Sequence, residues 1–298
     1  MDNPRISVLV PCYNRAHVLR RCVESVLSST YASVEVIVSD NASTDDSWRL
    51  AQQLAAEDSR VRIFKNETNL GPVPNWRRCL EQARGQYIHW LWSDDWVEPR
   101  FYETLIGIVD DRGCDVALCA AQVDFCDERR NSFVAYSHQE KEKSGRQACL
   151  DTLCMREMPV SPACMLLPAD SCRASFIQGI SWVGERNIDQ RGFGTDSLLA
   201  AGSMLRAAKV GFWGLPLVHF EAGADSITTQ VSRYASVRRY LGAHLFFIRE
   251  NRMAFGLKDL RDLLRFCLRG RYYVALPSVV WLYVKNAFIT NASGRNDE

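Results

Sequence analysis

The sequence contains no C-x-x-C pair, although eleven cysteines are spread over its 298 residues. Thiolate zinc sites and dithiol redox centres rely on such close spacing, so neither is expected here. An odd number of scattered cysteines reads instead as free thiols in a reducing compartment, most of them acting as small core hydrophobes. A long apolar run is missing too. The stretch YYVALPSVVWLYV (272–284) is apolar for thirteen residues, contains Pro277 and is closed by Lys285. A spanning helix takes about twenty such residues, so this segment is expected to lie on a membrane surface or to pack on the body. The opening MDNPR lacks the apolar centre of a signal peptide, which makes the cytoplasm the expected location. There is no internal repeat, no low-complexity tract and no recognisable nucleic-acid module, so nucleic acid is not an expected partner.

What is present is ordinary globular material, 47% hydrophobic and 24% charged. The net charge of +1 conceals a division: residues 226–298 carry +7 and residues 1–225 carry −6. An acidic body followed by a basic region suggests that the latter meets an anionic surface, here a membrane. In the same region SVRRYLGAHLFFIRE (236–250) and LKDLRDLLRFCLRG (257–270) have the spacing of amphipathic helices.

The first 125 residues alternate between strand and helix patterns. ISVLVP (6–11) is a continuous apolar run, as in a strand covered on both faces, and AHVLRRCVESVLSS (16–29) follows with helical spacing. VEVIVSD (34–40) predicts a second strand, Ser43, Thr44 and Asp45 offer capping groups for a helix running to about Glu57, and VRIFKN (61–66) predicts a third. PNWRRCLEQAR (74–84) predicts a helix ended by Gly85, YIHWLW (87–92) a fourth strand, EPRFYETLIGIVDD (98–111) a helix, and DVALCAAQVDF (115–125) a fifth strand. Short connections between such elements imply an α/β fold with a mostly parallel sheet flanked by helices. Ligands of these sheets bind beyond the carboxyl ends of the strands. That rule gathers Pro11, Cys12, Tyr13 and Asn14, then Asp40 and Asn41, then Ser93, Asp94 and Asp95.

Adjacent carboxylates at a strand end suit a hard divalent cation, which keeps several waters and bridges to substrate phosphates. The plainer reading is that one of them caps the helix beginning near Glu98. A dinucleotide-binding oxidoreductase shares the alternation, but PCYNR stands where its G-x-G-x-x-G belongs.

Residues 6–96 resemble the amino-terminal half of family 2 glycosyltransferases with the GT-A (Rossmann-like) fold. The resemblance rests on VLVPCYNR (8–15), VIVSDNASTDDS (36–47), NLGPVPNW (69–76) and ARGQYIHWLWSDDW (83–96). It implies that Pro11, Tyr13, Asn14, Asp40 and Asn41 hold the nucleotide. It gives Asp94 ribose and metal contacts, and it makes Asp95 a metal ligand for Mn²⁺ or Mg²⁺. The family's Asp-x-Asp-Asp reads Trp92-Ser93-Asp94-Asp95 here, without the leading carboxylate.

Over about 190–228 the likeness is looser. Thr195-Asp196 stands where the family opens an acceptor-side helix with its catalytic carboxylate, so the resemblance makes Asp196 the general base; otherwise it is a helix cap. The family's Arg-x-His-x-x-Ser is not reproduced: Glu221 and Gly223 occupy the Arg and His positions, and His219 lies nearby. Trp90, Trp92 and Trp96 suit either a sugar platform or the core.

The expected organisation is a GT-A domain over 1–225, with a nucleotide-sugar half to about 125 and an acceptor half over 126–225, then a helical extension over 226–298. The implied activity is a metal-dependent, inverting transfer from a nucleotide-sugar donor to a glycan or lipid-linked acceptor, peripheral on the inner face of the cytoplasmic membrane. The rival is an inactive nucleotide-sugar binder of the same fold.

Overall fold

In the computed structural model, residues 3–125, 132–136, 141–154, 158–176, 179–180, 192, 194–222 and 233–269 are described. Strand β1 (Ile6–Cys12) and strand β2 (Val34–Asp40) are buried along their whole lengths. They pair in parallel, with β3 (Val61–Lys65) beyond β2 and β4 (Tyr87–Trp90) on the other side of β1. Helix α1 (Ala16–Leu27) buries Val18, Leu19, Cys22, Val23 and Val26 on one stripe, and α2 (Ser47–Glu57) and α3 (Pro72–Gln82) complete the layers that make both sheet faces apolar.

After this parallel quarter the sheet becomes mixed. It continues β4, β9 (Met165–Pro168), β6 (Val116–Phe125), β10 (Lys209–Ala222) and β5 (Trp96–Val97). β9 runs antiparallel to both its neighbours, and β10 runs parallel to β6. β7 (Phe133–Ala135) and β8 (Lys141–Ser144) add antiparallel edges. The register of β10 on β6 slips on either side of Pro216, which has no N–H for the ladder. Helices α4 (Phe101–Arg112), α5 (Gly145–Leu153), α6 (Ala169–Ala174) and α7 (Thr195–Arg206) cover this half.

Several local expectations are corrected. The N-cap position of α2 is Asp46, whose side chain makes no capping bond; of Ser43, Thr44 and Asp45, it is Asp45 that meets the helix start, its Oδ1 accepting from the Ser47 N–H at 2.9 Å. Gly85 does not end α3. The chain leaves that helix at Ala83 in an extended conformation, which needs no glycine. Gly85 is required because it lies flat on β1: an added Cβ would stand 2.6 Å from the Ser7 nitrogen. The glycine that does terminate a helix is Gly113, left-handed at the end of α4.

Beyond 225 the described helices pack on the body. Helix α8 (Arg233–Glu250) places Ala243, His244 and Leu245 at 0% exposure, with Phe247 and Ile248 beside them, in the same core as the sheet. Helix α9 (Leu257–Arg269) adds Leu260 and Leu263, and Arg146 of α5 pairs with Asp259 and donates to the Ala254 carbonyl at 2.9 Å. Leu241, Ala243, Leu245, Phe247, Ile248, Phe255, Leu260 and Leu263 therefore share the core of the body. Among the described residues no helix is long and apolar enough to cross a membrane. The apolar run 272–284 lies outside the described residues.

Candidate active site

The carboxyl ends of β1, β2 and β4 meet at one rim, as the topology requires. Pro11 is buried opposite Ser39, and Cys12 opposite Asp40. Beyond them two loops are laced together. Asn14, at φ 54°, accepts from the Thr44 nitrogen at 2.8 Å, and its own N–H donates to Ser43 Oγ at 2.9 Å. Arg15 N–H donates to Ser47 Oγ at 2.8 Å, and Ala16 N–H to Asp45 Oδ2 at 3.1 Å. The residues read as a cap thus clamp the first loop onto the second. Tyr13 remains 42% exposed above them, free to offer its ring to a planar group.

Asp40 is 1% exposed; Oδ2 accepts from Ser43 N–H at 3.1 Å, while Oδ1 is buried with no partner. An unmet carboxylate oxygen costs free energy until a donor reaches it, which is what a ligand hydroxyl or base N–H would supply. Asn41 differs. Its amide donates to Asn69 Oδ1 and the Gly71 carbonyl and accepts from Asn66 and Leu70, all within 3.1 Å. Both ends of the side chain are spent on building the loop beside Asp40.

Asp94 and Asp95 follow β4 directly. Asp95 is 5% exposed and accepts from Glu221 N–H at 3.3 Å. Burial, then the neighbouring Asp94 charge, push its carboxyl well above the ordinary range; Asp94 is raised as well, mainly by burial, with Arg15 opposing. Arg15 stands 3.9 Å from Asp94, and Arg21 donates to the Asp94 carbonyl at 3.2 Å while pairing with Glu221. Neither aspartate caps α4, whose N-cap position is Arg100. Two adjacent carboxylates raised by burial, Asp95 also by Asp94 and Asp94 also by Glu221, are a donor set that a divalent cation would relieve, so the residues fit one. Among the described residues no three His, Cys, Asp or Glu groups are gathered for it. Among the described residues these two would supply the hard oxygen ligands, with waters and phosphates filling the shell.

His219 is engaged elsewhere. It stacks on Trp96 at 3.6 Å, and its ring nitrogens face Asp124 Oδ2 at 3.0 Å and Glu98 Oε1 at 2.9 Å. Both nitrogens are occupied, so it is not a ligand waiting for a metal. Trp90 is core, at 0% exposure. Trp92 lies half-buried against Trp76 at 4.8 Å and donates to Ser161 Oγ at 3.2 Å. Cys12 is an inert thiol, pushed up to about 12 by burial.

On the acceptor side Asp196 occupies the first turn of α7 without capping it; the cap position belongs to Gly194. Tyr240 OH donates to Asp196 Oδ2 at 2.8 Å, and Oδ1 is buried and unpartnered. Burial raises this carboxyl to about 6, against the lowering effect of the phenol and of nearby backbone N–H groups. Tyr136, at φ 64° after β7, brings a second phenol whose ionisation feels Asp196 and Cys164, while Cys164 in turn feels Asp95. This series runs from the rim to α7. Sequence reading missed Arg21, Tyr136 and Tyr240, and it named Glu221 without its pairing to Arg21. The Arg21–Glu221 pair spans 200 residues and the Tyr240 bond 44, distances over which no spacing rule operates.

The arrangement is that of the GT-A class: strand ends meeting at one rim, an acidic pair after β4 and a separate buried carboxylate oxygen in the first turn of α7. The family model "Glycosyl transferase family 2" matches residues 7–174, more than half of the chain, which belongs to that family. Glycosyltransferase GlyG of Streptococcus pneumoniae is 32% identical over 153 residues, 51% of this chain and 48% of that protein. The GalNAc(5)-diNAcBac-PP-undecaprenol beta-1,3-glucosyltransferase of Campylobacter jejuni is 36% identical over 93 residues, 31% of this chain and 30% of that one. The chain thus spans half or less of the length of these curated relatives. TarS 1-349 of S. aureus, solved in complex with UDP-GlcNAc, superposes with a TM-score of 0.61 at 14% identity over 94% of this chain and 89% of its own. This likeness establishes the GT-A fold.

Proposed function

We propose that this chain transfers a sugar from a nucleotide-sugar donor to a hydroxyl of a glycan or lipid-linked acceptor, with inversion at the anomeric carbon. The observation that carries the reading is Asp196, a carboxylate with one oxygen fixed, the other unpartnered, and an affinity for protons set near neutrality. A general base works best with a pKa close to the operating pH.

Tyr13, Asn14 and the bare oxygen of Asp40 receive the nucleoside, and Pro11 fixes the strand end beneath it. Asp94 and Asp95 are the residues that would hold Mg²⁺ or Mn²⁺, which when bound neutralises charge on the departing diphosphate. The acceptor hydroxyl approaches from the α7 side. As its oxygen bonds to the anomeric carbon, the bond from that carbon to the phosphate oxygen breaks, the electron pair leaves with the nucleoside diphosphate, and the hydroxyl proton passes to Asp196 Oδ1. A single displacement with one base and no protein nucleophile inverts the configuration, and holding both partners in line removes much of the barrier.

The lipid-linked acceptor draws support from the undecaprenol-linked substrate named for the Campylobacter relative. Peripheral attachment to an anionic membrane draws support from the +7 charge of residues 226–298. The test is turnover of nucleotide sugars with a divalent cation. Asp196→Asn is expected to lower it by about 10²–10⁴ with the thermal unfolding transition intact, and near-normal rates from a folded Asp196→Asn protein would remove the base.

A further inference from the structure

The helix that governs Asp196 lies 44 residues further along the chain, in a region that the sequence pattern assigns to an appendage. α8 meets the first turn of α7 at three points. Tyr240 OH donates to Asp196 Oδ2 at 2.8 Å. Ala243 presses on Gly194, where an added Cβ would stand 2.3 Å from the Ala243 Cβ and where φ is +86°. His244 Nε2 lies 2.9 Å from Ser197 Oγ, while its Nδ1 is 2.8 Å from the Leu153 carbonyl of α5. Tyr240 and His244 are one turn apart and share a helix face. Both therefore reach α7, one on the proposed base and one on the residue after it.

A carboxylate on a helix terminus is free to rotate about its last bond unless a donor holds it. The phenol does so here from a neutral group, so it adds no competing charge to the site. It also divides the two oxygens: Oδ2 is occupied and Oδ1 is left bare and shielded from solvent. The titratable groups facing Asp196 among the described residues are Tyr240 from α8 and Tyr136 from the end of β7, with His244 reaching it only through Ser197. Burial keeps both phenols protonated and His244 neutral, its pKa lowered to about 4.

We infer that Tyr240 is a positioning residue for the transfer: its phenol pins Asp196 Oδ2 so that Oδ1 alone faces the acceptor hydroxyl, which makes α8 a working part of the acceptor half. This rests on Asp196 being the base, and the experiment separates the two claims. The kcat–pH profile and the donor KM are measured for the wild type, Tyr240→Phe, Tyr240→3-fluorotyrosine and Asp196→Asn. Tyr240→Phe is expected to lower kcat about tenfold and to move the acidic limb to higher pH, because the charged carboxylate loses a donor. The donor KM should be unchanged. Fluorination makes the phenol a stronger donor with the ring in place, so the limb should move to lower pH. Opposite shifts from two variants at one position are not what loss of packing produces. If Asp196→Asn is inactive while Tyr240→Phe keeps both kcat and the limb, the positioning role is wrong and the base stands. If Asp196→Asn turns over normally, the base itself is lost. Should Tyr240→Phe fail to fold, an unmoved limb in the fluorotyrosine protein overturns the inference.

Discussion

At the rim, Asp94 and Asp95 share a small space with Arg15, Arg21 and Glu221. At α7, Asp196 has phenols and backbone for company. All three carboxyls are raised by burial, but for different ends. The rim holds more negative charge than its two arginines settle: Asp94 makes Asp95 harder to ionise and Glu221 does the same to Asp94, a state that a cation would relieve. At Asp196 burial raises the carboxyl while the Tyr240 phenol and backbone N–H groups lower it, leaving it at about 6, where a proposed base could take a proton and release it again. On the proposed reading one residue type serves as ligand or as base according to what surrounds it.

The sharpest way to break this comparison is to remove the two carboxylates separately and ask what each loss depends on. Asp196→Asn should give the larger deficit, about 10²–10⁴ in kcat, at every concentration of divalent cation. Asp95→Asn should cost about 10-fold or more in metal affinity, and part of its lost turnover should return as Mn²⁺ or Mg²⁺ is raised. Initial rates across a metal titration decide the matter. If added metal rescues Asp196→Asn, or leaves Asp95→Asn wholly unchanged, the assignments are reversed or wrong.

The rim was legible in the sequence because it is assembled from strand ends. A buried strand announces itself by an apolar run, and in a parallel sheet the residues just after each run must share one edge, so Asp40 and Asp95 could be placed together without coordinates. Asp196 was legible only by resemblance, since Gly194-Thr195-Asp196 before a helix pattern reads equally as a cap. Tyr240 was not legible at all. Its contact depends on where α8 docks, and an amphipathic pattern states that a helix has an apolar face without saying what that face will cover. The same ambiguity hid from the sequence that Leu241, Leu245, Phe247 and Leu260 join the core of the sheet. Gly85 failed for a related reason: a glycine after a helical pattern suggests a C-cap, and nothing local reveals that β1 passes 2.6 Å from its missing side chain.

A smaller effect concerns pH. Asp196 carries a folded-state pKa of about 6 against an ordinary 3.8, so the native protein binds this proton more tightly than the unfolded chain does. Stability from this group is therefore fully present below about 3.8 and is lost as pH rises through about 6. At pH 8 Asp196→Asn should unfold at higher denaturant than the wild type, by about 1–3 kcal/mol, with the gain vanishing near pH 4. Activity should run the other way, falling as pH drops through about 6 while the base is protonated. An asparagine variant that is no more stable at pH 8 than at pH 4, relative to wild type, would show that burial does not burden this carboxylate.

The smallest effect sharpens the rim. Arg21 is 47% exposed in its pairing with Glu221, so Arg21→Ala should change unfolding stability by less than about 1 kcal/mol. Its charge nevertheless counters that of Asp94 and Asp95, lowering the pKa of both. Without it the rim becomes more negative, and a divalent cation should half-saturate turnover at a concentration a few-fold lower, most visibly at low ionic strength where screening is weak. Asp95→Asn shifts the same midpoint upward, so the two variants bracket the wild type from opposite sides. A midpoint that rises in Arg21→Ala would mean that this arginine holds the diphosphate itself, and that the positive charges of the rim, rather than its carboxylates, carry the donor.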